Sequence, residues 1–269
     1  MQKDKYALLD TDFISKTHII QKDKDNHLID RIMELPQYYF YCHSQIRAEL
    51  ARHNVSGSKE WLEKKILEGK IICYSDEKIL NELGVIYGSH APLAYVNLLR
   101  TACQAYRDGY FEEKFEQLQQ LDYRNISHND FIEELDKDCA NIGTGQNLGE
   151  IKTYVLLRVI FLLFGEQIYV FCSDDRNARS AMISIGGVRC ISVLSSFLRL
   201  KKECDFQQED ARDYIQSWLG FCTKSNQITF KVQENSNEKR LIKIPCERVM
   251  REIYAGKFED MLNGNLRYK

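Results

Sequence analysis

The chain has 269 residues, 44% of them hydrophobic, enough for a packed core in one large domain or in one domain with an added lobe. Its formal net charge of −2 excludes a polycation that holds nucleic acid by overall charge, so any such binding needs a local basic face. Nine scattered cysteines, with no CxxC and no Cys/His pair at zinc spacing, exclude a zinc site of the usual spacing and are expected as reduced core thiols.

The N-terminus enters an apolar run at once, and Tyr6 to Asp10 (YALLD) reads as a short buried strand followed by a helix from Phe13. Gln37 to Cys42 (QYYFYC) is aromatic and strand-like, and Ser44 is placed to cap a helix over Gln45 to Arg52. A charged helix around Lys59 to Glu68, a strand Lys70 to Tyr74 and a helix opened by Ser75 and Asp76 follow. Ala91 to Tyr106, Phe111 to Leu121 and Asp130 to Asp136 keep helical spacing. The glycine-bearing stretch NIGTGQNLGE reads as a loop delivering Glu150 into the first turn of an apolar helix, Ile151 to Phe164. A strand Gln167 to Cys172, a helix Arg176 to Ile185 ended by Gly186-Gly187, and a strand Val188 to Val193 complete an alternation that predicts an α/β fold with a mainly parallel sheet. After Cys204 the pattern changes to a helix, two strands joined by ENSNEK, and a helix Cys246 to Tyr254.

No secretory h-region precedes the first strand, and the longest apolar stretch, Tyr154 to Phe164, carries Arg158 and is too short to span a bilayer. A cytoplasmic protein without a membrane partner is expected. The basic clusters Lys64-Lys65, Arg199 to Lys202 and Lys239-Arg240 with Lys243 are candidates for a nucleic-acid face, although such runs are usually solvated surface.

The chemistry-bearing residues are four acidic stations: Asp10 with Asp12, Glu49, Glu150, and Asp174 with Asp175. Each ends an apolar strand-like run or lies near a helix start, and the carboxyl ends of parallel strands are where α/β sheets put ligand chemistry. Carboxylates gathered there repel one another unless a divalent cation neutralises them, and oxygen ligands suit Mg²⁺ or Mn²⁺. Taken singly, each acid has an ordinary explanation as a turn residue, an exposed helix glutamate or a cap.

Four segments carry a family resemblance: LLDTDFIS at Leu8 to Ser15, IRAEL around Glu49, NLGE ending at Glu150, and the block VFCSDDRNARSAMISIGGVRCISVLSSFLRLKK. In these the chain resembles the PIN domain nucleases, including the bacterial toxin-antitoxin RNases. The resemblance covers roughly residues 5 to 53 and 145 to 202 and implies a three-layer α/β/α fold and a Mg²⁺- or Mn²⁺-dependent endoribonuclease. It implies Asp10, Glu49, Glu150 and Asp175 as catalytic acids, with Asp10, Glu150, Asp175 and Asp174 as metal ligands. Asp12, Ser173 and Arg176 take supporting roles: Asp12 beside Asp10, Ser173 orienting water or the neighbouring acid, and Arg176 on phosphate or capping its helix. RNA is the implied substrate, with an inhibitor protein or a second copy as further partners to test.

The chain departs from the pattern in two places. A helical insertion at about 88–142 is expected within a domain spanning 1–203, and residues 204–269 form a C-terminal α+β appendage. Tyr106, Tyr110, Phe111, Trp218 and Phe221 in these regions are candidates for a docking surface. Two other functions compete: a non-catalytic scaffold for protein or RNA, and a phosphatase of the haloacid dehalogenase class built on Asp10-Thr11-Asp12, for which Ile14 is the wrong residue at the fifth motif position.

Overall fold

The computed structural model describes residues 4–53, 57–143, 147–165, 167–179, 182, 187–222, 226–233, 239–262 and 266–268. Five parallel strands form the central sheet: β1 (Lys5–Leu9), β4 (Tyr38–His43), β5 (Ile71–Tyr74), β6 (Val170–Cys172) and β7 (Arg189–Ile191), in the order β5-β4-β1-β6-β7. A small hairpin, β2 (Gln21–Asp23) and β3 (Asn26–His27), lies outside it. The strands are apolar without a polar alternation because both faces are covered, as parallel sheets require. Ala7, Leu9, Phe40, Cys42, Val170 and Cys172 point into one buried cluster, and their neighbours Leu8, Tyr41 and Phe171 into the other.

The first face is covered by α1 (Thr11–Ile19), α2 (Leu28–Met33), α3 (Gln45–His53), α4 (Ser58–Leu67), α12 (Val193–Cys204), α13 (Gln208–Phe221) and α14 (Cys246–Tyr254). The second is covered by α5 (Asp76–Tyr87), α6 (Ala91–Tyr106), α7 (Tyr110–Lys114), α8 (Glu116–Gln119), α9 (His128–Ile142) and α10 (Leu148–Phe164). Residues 176–179 form a helical turn, α11, after β6. A sheet between two helical layers agrees with the α/β/α expectation. Residues 88–142 supply most of one layer. The segment after Cys204 also enters the common core: Ala211, Tyr214, Trp218, Phe230, Val249 and Ile253 join the cluster beneath β1. A second, antiparallel sheet of β8 (Gln227–Gln233), β9 (Lys239–Pro245) and β10 (Leu266–Tyr268) runs in the order β10-β8-β9.

Boundaries differ from expectation where local chemistry competes. The helix expected over Phe111 to Leu121 is broken at Phe115, whose φ of −108° and ψ of 64° end α7 and begin α8. Asn147, the second asparagine of NIGTGQNLGE, takes the left-handed conformation at φ 62°, and α10 starts at Leu148, placing Gly149 and Glu150 inside its first turn. Gly186, expected as a helix terminator, lies outside the described residues. Ser75 caps α5 as expected, accepting the Lys78 N–H. Among the described residues no helix is long and apolar enough to cross a membrane.

From β1 the sheet grows outward through β4 and β5 on one side and through β6 and β7 on the other. The connections therefore diverge between β1 and β6, and a crevice opens at the carboxyl ends of strands at such a switch point.

Candidate active site

Asp10 follows the last residue of β1 and caps α1 from an extended backbone, accepting the Thr11 N–H at 2.8 Å on Oδ1. Ser173, directly after β6, donates its hydroxyl to Asp10 Oδ2 at 2.7 Å and accepts the Asp175 N–H at 3.1 Å. A fully buried serine thus clasps the first and fourth acidic stations across the switch point. Asp175 caps α11, accepting the Ala178 N–H at 2.8 Å. Glu49 reaches over from α3, its carboxylate accepting the Thr11 hydroxyl at 2.5 Å and the Gly149 N–H at 3.0 Å. It is buried and joins α1 to the first turn of α10, where Glu150 lies.

The acids sense one another. Burial pushes the Asp10 carboxyl up to about 8, with the Ser173 hydrogen bond opposing and Glu150, Asp12 and Glu49 adding to the rise. Burial likewise pushes Glu150 up to about 7, reinforced by Glu49, Asp175 and Asp12. Asp12 is also raised by burial, against the pull of Lys16. The sequence-predicted residues Asp10, Asp12, Glu49, Glu150 and Asp175 therefore form one electrostatic group. Asp174 is held differently: Lys16 bridges it and Asp12 at 3.0 and 2.9 Å, Val193 donates its N–H at 3.2 Å, and Arg179 approaches to 3.7 Å. Arg176 is exposed on α11.

The donors are all carboxylate oxygens, a set that suits a hard divalent cation and not zinc. Asp10, Glu150 and Asp175 are the oxygens available to hold one. Among the described residues no three His, Cys, Asp or Glu side chains are already grouped as a finished coordination shell. Binding an ion there would require the carboxylates to turn toward it, and Asp10 and Glu150 to shed the protons that their raised affinities retain.

Three residues of this site escape sequence inspection. Thr11 and Lys16 orient acids but carry no motif signal. Gly149 looks like loop punctuation, yet it is helical, and a Cβ there would fall 2.4 Å from Glu49 Oε1 and 2.5 Å from Oε2. Gly149→Ala is expected to drive the Glu49 carboxylate off its perch. The helix gains on the order of 1 kcal/mol from alanine, offsetting much of the lost hydrogen bonding, so the melting temperature should move little. Under the expectation of a metal-dependent RNase, cleavage should fall about 10- to 100-fold, the usual size of such an orienting contact. Adding Glu49→Asp, whose shorter side chain clears the methyl group, should recover part of that loss.

Next to the acids lies a second buried polar group. Lys152, fully buried on α10, donates to Asp76 at 2.8 Å and to the Tyr95 hydroxyl at 3.1 Å, while Tyr95 itself donates to Asp76. His43, at the end of β4, places Nε2 3.2 Å from the same carboxylate and accepts the Gln45 N–H on Nδ1 at 3.1 Å. The histidine is thus engaged structurally.

The aromatic strand is mostly interior, as its strand-like sequence suggests: Tyr38, Phe40 and Tyr41 are buried and Tyr39 is exposed. Of the candidates for a docking surface, Tyr110, Phe111 and Trp218 are core. Arg199 is buried against Tyr38 and Glu203, and Lys201 donates to the Ile253 and Tyr254 carbonyls, so this basic run is not a free cationic face. Neither a protein-family model, a curated protein nor a solved structure matches the chain.

Proposed function

We propose that the chain is a divalent-metal-dependent ribonuclease that cuts RNA phosphodiester bonds at the crevice between β1 and β6. The observation that supports this most is the gathering of mutually repelling carboxylates at that crevice, with Asp10 raised to about 8 and Glu150 to about 7. Crowding acids in a buried cleft destabilises the metal-free protein, and a bound cation relieves it. Mg²⁺ or Mn²⁺, when bound, would help to activate a water and would stabilise charge on the leaving oxygen. Asp10 and Asp175, clasped by Ser173, would hold it. Glu150, in the first turn of α10, would complete the carboxylate set with them and lose its raised proton affinity once the cation neutralises the group. Glu49 holds the first turns of α1 and α10 together and so fixes the distance between Asp10 and Glu150.

Labelled single-stranded RNA incubated with the purified chain tests this. Cleavage is expected with Mg²⁺ or Mn²⁺ and should vanish on chelation, and p-nitrophenyl phosphate should remain intact. Undiminished cutting in EDTA removes the metal mechanism. Release of nitrophenol points instead to a phosphatase, and inertness toward both substrates to a scaffold.

A further inference from the structure

Two of the nine cysteines face each other across the edge of the central sheet. Cys42 on β4 and Cys73 on β5 are register partners in parallel strands, and paired positions send their side chains to the same face. Cys42 is fully buried in the cluster on the first face, and Cys73 packs against that cluster while staying partly open to solvent. Because β5 is an edge strand, Cys73 is the member of the pair that a small reagent meets. Paired Cα atoms on neighbouring strands stand about 4.8 Å apart, within the range of about 4.4–6.8 Å that a disulfide spans.

The surroundings give the two sulfurs different characters. The Cys42 thiol, donating to its neighbour, holds Cys73 at about 7 against burial, and the Arg47 and Lys78 cations add to the pull. The same contact, together with burial, pushes Cys42 well up, so that it keeps its proton. Arg47 comes from α3 and Lys78 from α5, and the buried Arg47 Nε has no hydrogen-bond partner among the described residues. A thiolate beside a protonated second thiol is the arrangement of a redox-active pair. The other close pair, Cys222 and Cys246, lacks it: burial pushes Cys222 up to about 12, which leaves no thiolate to start a reaction.

We infer that Cys73 and Cys42 are a peroxide-sensitive thiol pair that closes to an intramolecular disulfide joining β5 to β4. The Cys73 sulfur attacks hydrogen peroxide; the O–O bond breaks, one oxygen stays on the sulfur as a sulfenic acid, and the other leaves as hydroxide. The Cys42 sulfur then attacks the sulfenic sulfur, the S–O bond breaks, and the oxygen departs as water with the Cys42 proton. The thiol pair gives up two electrons and the peroxide takes them. Directly beyond the pair the Ser44 N–H donates to the Tyr74 carbonyl at 2.8 Å, so the bridge adds a covalent tie to an edge held by backbone pairing. The site stands apart from the ribonuclease proposal and uses none of its acids.

The test uses the full chain in EDTA, reduced and freed of reductant, with iodoacetamide and with hydrogen peroxide. In brief alkylation at neutral pH, peptide mapping should show Cys73 labelled about 10-fold faster than Cys204. Cys204 is the more exposed of the two, but burial and Glu203 push its thiol up. Peroxide followed by non-reducing peptide mapping should join the Cys42 and Cys73 peptides and leave Cys222 and Cys246 as thiols. Cys42→Ser should strand Cys73 as the sulfenic acid, captured by dimedone, and Cys73→Ser should abolish the bridge. The native chain alone is decisive if a variant fails to fold. Labelling of Cys204 ahead of Cys73 overturns the pair, as does peroxide treatment that joins other cysteines or leaves Cys42 and Cys73 unjoined.

Discussion

Asp10→Asn is expected to reduce RNA cleavage about 10²- to 10³-fold or more, the scale of removing one electrostatic contributor from a reaction site, while making the metal-free protein more stable at alkaline pH. The sign follows from proton linkage. The Asp10 carboxyl titrates at about 8 in the fold against an ordinary value of 3.8. Between those two values the folded chain keeps a proton that the unfolded chain releases. Stability is therefore lost as pH rises through this window and is fully present only below it. Asparagine carries no such proton, and its amide still accepts from Thr11 and donates to Ser173. The difference in melting temperature between variant and native chain, measured in EDTA, should be near zero around pH 4 and greatest near pH 8, corresponding to a few kcal/mol at about 1.4 kcal/mol per pKa unit. Added Mn²⁺ should close the gap by stabilising the native chain alone. A variant less stable than the native chain at every pH would make Asp10 a structural cap.

Lys152→Met should destabilise the chain by about 3–5 kcal/mol, the usual result of leaving one member of a buried ion pair alone, and that is a large share of a typical domain's total of about 5–15 kcal/mol. Burial raises the Asp76 carboxyl, but Lys152 and the His43 ring outweigh it and hold it well below the usual carboxylate range. A depressed carboxyl contributes stability above its unfolded value near 3.8 that disappears as pH falls. The gap between native and Lys152→Met in urea titrations should therefore narrow on acidification. Asp76→Asn combined with Lys152→Met should cost less than the sum of the two single changes. Additive losses would mean that the two side chains act independently. Cleavage by Lys152→Met should fall as well, because Lys152 stands two positions after Glu150 and fixes the start of α10 against β4 and α5.

The parts of this fold legible in the sequence are those governed by neighbours along the chain. The run YALLD stops on a capping acid, Ser75 caps α5, and the apolar strands alternate between two buried clusters without needing any distant residue to explain them. What escaped depends on contacts across the fold. Gly149 looks like a loop glycine until Glu49, brought from α3, lies on its Cα. Lys152 sits in an apolar helix where a single lysine is easily taken for a surface residue; its partner Asp76 begins another helix. The hairpin Gln21–Asp23 with Asn26–His27 is polar and too short for a period-two signal. Aromatics beside charges in the added regions suggested one docking surface, but only Tyr106 borders the acids, and Tyr110, Phe111 and Trp218 went to the core because they face buried clusters.

The register of the central strand bears on when the protein becomes competent. Ala7 pairs with Phe40 on one side and with Val170 on the other, so the middle of the sheet is closed by a strand made long after the first. Ser173 reaches Asp10 only once that strand is in place, and pairing strands so far apart in the chain is slow. Until β6 is made, Asp10 has Asp12 and Glu49 near it but not the Ser173 hydroxyl that clasps it. A fragment that stops short of β6 lacks the Ser173 clasp on Asp10 and, under the proposed function, should cut no RNA.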